Sequence, residues 1–149
     1  MPPDRFTIFL DENHCNNSKI LAVLKTAGIS VERHLDHFSR GTPDEDWLPS
    51  VGRNGWALIT TDKRIRYRSN EKRAVEKYGV RMFYFSTNEM SGRQMAAALE
   101  KALPRMQRIF ISQKPPYCAA ITRSGEVHIK VTFSSPLEGQ DQSSGETGI

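Results

Sequence analysis

The sequence predicts an α/β domain, a mostly parallel sheet with helices packed on both of its faces. Short apolar runs alternate with segments of helical periodicity four times along the chain, which is the pattern of parallel strands joined by crossover helices. The apolar runs end abruptly in acids or polar residues, as buried strands do at a sheet edge. Near the C-terminus the alternation gives way to two strand-like segments around a tight-turn sequence.

Phe6–Leu10 is the first strand, closed by Asp11-Glu12-Asn13. Between Asn17 and Ala27 the residues Ile20, Leu21, Val23 and Leu24 recur at helical spacing, and Gly28 supplies the stop. Ile29–Glu32 is a brief second strand, and His34–Gly41 reads as a polar loop. A helix then begins at Thr42-Pro43-Asp44-Glu45, with Thr42 as N-cap, Pro43 first in the helix and Glu45 as the capping-box partner. Trp47, Leu48 and Val51 form its buried face and Gly55 ends it. Trp56–Thr60 is the third strand, closed by Thr61-Asp62. A helix at about 69–78, Gly79 and the strand Val80–Phe85 follow. Ser91 to about Ile111 is helical, with Met95, Ala98, Leu99 and Ala102 on one face and a kink expected at Pro104. Tyr117–Thr122 and the alternating Glu126–Phe133 flank Arg123-Ser124-Gly125, a hairpin.

The length of 149 residues fits one domain with a real core. We assign it to residues 1–133, with the hairpin at about 117–133, and residues 134–149 to an acidic tail expected to be disordered. Apolar runs of at most about six residues exclude a membrane-spanning helix. The N-terminal stretch, with an acid on either side of its apolar run, is unlike a signal peptide. Cys15 and Cys118 make no disulfide framework, so the expected setting is cytoplasmic with reduced thiols. The tail carries Glu138, Asp141 and Glu146 without Lys or Arg, leaving 21 basic against 14 acidic residues in the body, a charge of +7. Such an excess fits a polyanionic partner, and equally ordinary solubility.

In parallel sheets the functional cleft lies beyond the carboxyl ends of the strands. Asp11 directly follows the first strand, Asp62 follows the third by two residues, and Asp44 opens the helix feeding that third strand. If those strands are neighbours, the three acids face one cleft. Gathered carboxylates repel, and their hard oxygens suit Mg²⁺ or Mn²⁺. Each acid alone also has a structural explanation, as a turn former or as a charge at a helix start. Lys63-Arg64-Ile65-Arg66-Tyr67-Arg68 continues to Lys72 and Arg73, so six of eleven residues are basic directly after Asp62. Lys63, Arg64, Arg66 and Arg68 suit phosphate contacts and Tyr67 suits stacking on a base; a solvated basic surface is the plain alternative. Arg64 could also stabilise charge on a phosphate during cleavage. His34 and His37 read as surface residues, His14 as a supporting neighbour of Asp11, and Cys15 as a buried thiol.

The chain resembles the PIN-like domain family, in particular the branch containing VapC-type toxins of bacterial toxin–antitoxin pairs. The resemblance rests on the strand ending in Asp11-Glu12-Asn13, on Gly41-Thr42-Pro43-Asp44-Glu45-Asp46-Trp47-Leu48, and on Trp56-Ala57-Leu58-Ile59-Thr60-Thr61-Asp62-Lys63-Arg64-Ile65. It spans about residues 6–85 and implies a three-layer sandwich and a metal-dependent endoribonuclease with acids at Asp11, Asp44 and Asp62. It further implies a cognate antitoxin protein and allows homo-oligomers. The family often has a fourth acid after the next strand, where this chain reads Ser86-Thr87-Asn88-Glu89. Glu89, or Glu45, is then the candidate for an extra ligand, and the number of metal ions stays open. Two rival readings remain: a non-catalytic PIN-like module that binds nucleic acid or protein, and an enzyme phosphorylated on Asp11. The phosphatase pattern wants an Asp where Asn13 stands.

Overall fold

The structure is a computed structural model that describes residues 6–60, 69–87 and 89–132. Five helices and six strands follow in the order β1 (Thr7–Leu10), α1 (Ser18–Thr26), β2 (Ser30–Arg33), α2 (His34–His37), α3 (Asp44–Asn54), β3 (Ala57–Thr60), α4 (Ser69–Tyr78), β4 (Arg81–Phe85), α5 (Gly92–Ser112), β5 (Tyr117–Ile121) and β6 (Val127–Thr132). The strands form one sheet in the order β2-β1-β3-β4-β5-β6. All neighbours are parallel except β5 and β6, which make the expected hairpin. The fold is therefore the predicted α/β sandwich.

Strand alternation divides the core. Ile8, Leu10, Ile59, Phe83, Phe85 and Ile121 point to the face covered by α1 and α5. Phe9, Leu58, Met82, Tyr84 and Ala120 point to the face covered by α3 and α4. Helix α1 starts where Asn17 accepts the N–H groups of Lys19 and Ile20 at 3.0 and 3.1 Å, and it buries Ile20 and Leu24. Its cap lies against the start of α5: a Cβ on Gly92 would come within 3.0 Å of the Asn17 side chain. Helix α5 has a full capping box, in which Gln94 N–H donates to Ser91 Oγ and Ser91 N–H to Gln94 Oε1. It runs on through Pro104.

Two local expectations are corrected. Thr42 does not cap α3. Its hydroxyl donates to the Ser39 carbonyl at 2.6 Å, the helix starts two residues later, and Pro43 holds the N-cap position with no side-chain bond. Glu45 is consequently no capping partner. Nor is His34–Gly41 simply a loop, because His34–His37 forms one helical turn, α2. That turn is held by tertiary packing. His34 is wholly buried, with its ring 5.5 Å from those of Phe38 and Trp47.

Candidate metal centre

The strand order places β1 between β2 and β3, and the chain moves outward from β1 in both directions. Such a switch point opens a crevice at the carboxyl end of the sheet. Asp11 lies there, one residue past β1, and the in-register pairs Phe9–Leu58 and Leu10–Ile59 bring Thr60 alongside it. Thr60 Oγ1 donates to Asp11 Oδ2 at 2.6 Å, and the His14 N–H donates to Oδ1 at 3.1 Å. The Asp11 main-chain carbonyl accepts from His14 and Cys15, which winds residues 11–15 into a turn beneath the carboxylate.

Asp11 is only 5% exposed. Burial pushes its carboxyl above the ordinary carboxylate range, opposed by charge on His14, the Thr60 hydroxyl and the backbone N–H groups of His14 and Asn13. His14 Nε2 stands 4.0 Å from Oδ1, and its ring meets Phe85 edge-on at 6.2 Å. The expected place of His14 beside Asp11 thus holds. Cys15 is a buried thiol whose Sγ faces the Glu12 carbonyl at 3.6 Å.

Glu12 performs the long-range connection. Its Oε1 accepts the Gly41 N–H at 3.0 Å, and Oε2 lies 3.8 Å from Arg40. This bond spans 29 positions and ties the segment before α3 to the end of β1. Gly41 takes a φ of +83°, in the region that favours glycine. Asp44 follows three residues on as the first residue of α3, half-buried, while Glu45 and Asp46 are exposed. Burial therefore distinguishes Asp44 from its two neighbours. Glu89 is exposed in the segment between β4 and α5, with its N–H donating to Thr87 Oγ1 at 3.1 Å.

Asp62, Lys63, Arg64, Arg66, Tyr67 and Arg68 lie outside the described residues; β3 ends two positions before Asp62. Among the described residues no three His, Cys, Asp or Glu side chains gather as a metal group. Asp11 and Asp44 nonetheless fit a hard divalent cation in chemistry. Asp11 is a buried carboxylate whose ionised form burial penalises, and a cation is what relieves such a penalty.

His34 corrects the sequence reading. Far from the surface, it is buried among Phe9, Phe38 and Trp47, and burial lowers its pKa so that the neutral imidazole is favoured. His37 does lie at the surface, paired with Glu32 at 2.7 Å. Thr60 and Glu12 were not foreseen as site residues. A polar residue ending an otherwise apolar strand was the available signal for Thr60, but only the register connects it to Asp11.

A family model described as "PIN like domain" matches residues 6–87, and the chain belongs to this family. PIN-like domains are commonly nucleases and generally use divalent metals. No curated protein and no solved structure gave a significant match. Among the described residues, no helix is long and apolar enough to cross a membrane.

Proposed function

We propose that this protein is a metal-dependent endoribonuclease, the toxin of a type II toxin–antitoxin pair of the VapC type. In this reading Asp11, Asp44 and Asp62 hold Mg²⁺ or Mn²⁺, and an antitoxin protein keeps the enzyme silent. The observation that carries the proposal is Asp11 itself, a buried carboxylate at the sheet's switch point, oriented by Thr60 and the His14 backbone. Burial without function would favour an apolar or amide side chain here, because an ionised carboxylate is costly to bury.

A bound divalent cation would polarise the phosphate and lower the pKa of a water ligand. The chain's own residues do the rest. Thr60 Oγ1 and the His14 N–H, together with the Asn13 backbone, fix the orientation of the Asp11 carboxylate. Glu12, through Gly41, sets where α3 and Asp44 begin. Lys63, Arg66 and Arg68 would bind the RNA backbone, Tyr67 would stack on a base, and Arg64 would offset charge on the phosphate under attack.

The test is cleavage of end-labelled RNA with Mg²⁺ or Mn²⁺, with and without chelator, by the native chain and by Asp11→Asn, Asp44→Asn and Asp62→Asn. The proposal expects metal-dependent internal cuts that all three variants lose while their melting curves stay cooperative. Chelator-resistant cleavage, or three fully active variants, would overturn it. Native protein that binds RNA without cutting it would favour the non-catalytic module.

A further inference from the structure

Helix α5 and the turn between β5 and β6 gather cations that meet no anion. Arg93, Lys101, Arg105 and Arg108 stand on α5 against a single acid, Glu100. Lys101, Arg105 and Arg108 recur at i, i+4 and i+7, so they share the face opposite the buried Leu99, Leu103 and Met106. The turn packs against that face. A Cβ on Gly125 would come within 2.5 Å of Lys101 Cβ and 3.1 Å of the Ala98 carbonyl, so the turn carrying Arg123 lies against Lys101. Lys130 follows on β6, which also touches α5. All five side chains, Lys101, Arg105, Arg108, Arg123 and Lys130, are exposed.

Among the described residues no carboxylate forms an ion pair with any of the five. Elsewhere on the surface cations are matched, Arg33 with Asp36 at 3.0 Å and Arg40 with Glu12 at 3.8 Å. The nearby Glu126 is taken by His128 at 3.2 Å. Two plain explanations fall short. Cations complement the negative end of a helix, but the last turn of α5 holds none. A lysine on an edge strand guards it against pairing with another chain, which accounts for Lys130 alone. Unmatched like charges on one flank instead attract a polyanion.

The surroundings of the cations select the kind of polyanion. Among the described residues no Phe, Tyr or Trp is exposed, and the large apolar side chain beside Lys130 is Ile129, 37% exposed. A protein partner wants an apolar centre with aromatic anchors, whereas phosphates need only Lys and Arg. Without exposed aromatics there is no platform for bases either, so contact is with the backbone and not with the sequence. Helix α5 follows the carboxyl end of β4 and the turn follows that of β5, the end of the sheet at which Asp11 lies. Strand β5 is three places from β1, roughly 14 Å at ordinary strand spacing.

We propose that the α5 face and the β5–β6 turn form a second RNA contact, a sequence-independent track for the phosphate backbone beyond the carboxylate crevice. The inference rests on the reading of this protein as a ribonuclease. Lys101, Arg105 and Arg108 carry the track along the helix, Arg123 joins it to the carboxyl end of the sheet, and Lys130 flanks it.

The test is binding of fluorescent single-stranded RNA, oligouridylate or oligoadenylate, to the full chain in chelator over a series of salt concentrations. Chelator keeps binding apart from metal-dependent cleavage. Lys101→Gln, Arg105→Gln and Arg108→Gln together should weaken binding at low salt about tenfold or more and lower the salt slope by about two units, at about 0.7 per lost phosphate contact. Both RNAs should lose equally, and the melting curve should not move, because the three positions are exposed. Should the triple variant fail to fold, Arg105→Gln alone carries the test, with a slope lower by about 0.7. An unchanged slope in a folded variant overturns the track and leaves the nuclease reading standing. A native chain that binds no RNA overturns both. Polyglutamate that displaces the RNA as effectively as unlabelled RNA would assign the flank to an acidic protein, and so overturns the track as well. A chain that binds RNA through these residues but cuts none retires the nuclease reading while the track stands.

Discussion

The two faces of the sheet are built differently. Among the described residues, 22 buried ones lie under α1 and α5 in one continuous apolar core, including Leu24, Phe83, Leu99, Met106 and Tyr117. Under α3 and α4 lie 12 of the described residues, with Phe9 stacked at 5.5 and 5.6 Å against Trp47 and Trp56 and the buried His34 set among them. The smaller face bears the candidate chemistry. Thr60 continues the alternation of Leu58 toward it, and Asp44 begins the helix that covers it. The division sets the larger apolar core apart from the side on which Thr60 and Asp44 lie. The larger face is the more extensive apolar layer, and Asp11 is a buried carboxylate just past the end of β1.

The most forceful way to break this division is Asp11→Asn. Losing a supporting group alone costs metal sites roughly 10–100-fold in affinity or activity, and losing the ligand itself should cost at least that. Stability should move the other way. The folded-state pKa of Asp11 is raised, so its contribution to stability is fully present below the ordinary carboxylate range and is lost as pH rises through the raised value. The Asn variant, without metal, should therefore melt above the native chain at neutral pH, and that advantage should vanish in acid. Paired melting curves at the two pH values and one cleavage assay check both halves. An Asn variant that melts lower at neutral pH would mean the charge is already compensated.

Leu99→Ala probes the other face. Leu99 is fully buried in the larger core, and the truncation should cost about 2–5 kcal/mol. Urea unfolding measures the loss, while cleavage per folded molecule should stay unchanged. A selective fall in activity would show that the two layers are coupled.

Gly52→Ala sharpens the comparison where α3 meets α4. A Cβ on Gly52 would overlap the Tyr78 carbonyl and side chain, so the helices must part, at a cost of roughly 1–3 kcal/mol. Because Asp44 rides on α3, activity should fall along with stability. That double effect, measured by melting and cleavage on the same sample, is absent from the Leu99 change.

The smallest expected effect belongs to Glu45→Ala. Glu45 is exposed and caps nothing, so stability should stay within about 0.5 kcal/mol of the native chain. A larger loss in denaturant unfolding would restore the capping role that the structure removes.

Much of this protein was legible in the sequence because burial writes a local period. The strand runs, the helix faces of Leu48 and Val51 or of Ala98, Leu99 and Ala102, and the stop at Gly55, where φ is +70°, follow from which neighbours share a face. So did Asp11 as the residue at which the first strand stops. Caps were a weaker inference, since Thr42 and Ser91 present the same kind of motif and only Ser91 uses it. A competing acceptor, the Ser39 carbonyl, decided the matter for Thr42. Tertiary structure alone decided the strand order that sets β1 beside β3, and the register that hands Asp11 the Thr60 hydroxyl. It also decided the reach of Glu12 to Gly41 and the burial of His34 in a segment that reads as polar loop. The physical reason is common to all four. Each joins groups far apart in sequence, and which partner a group finds is set by how whole elements pack, which no local period records.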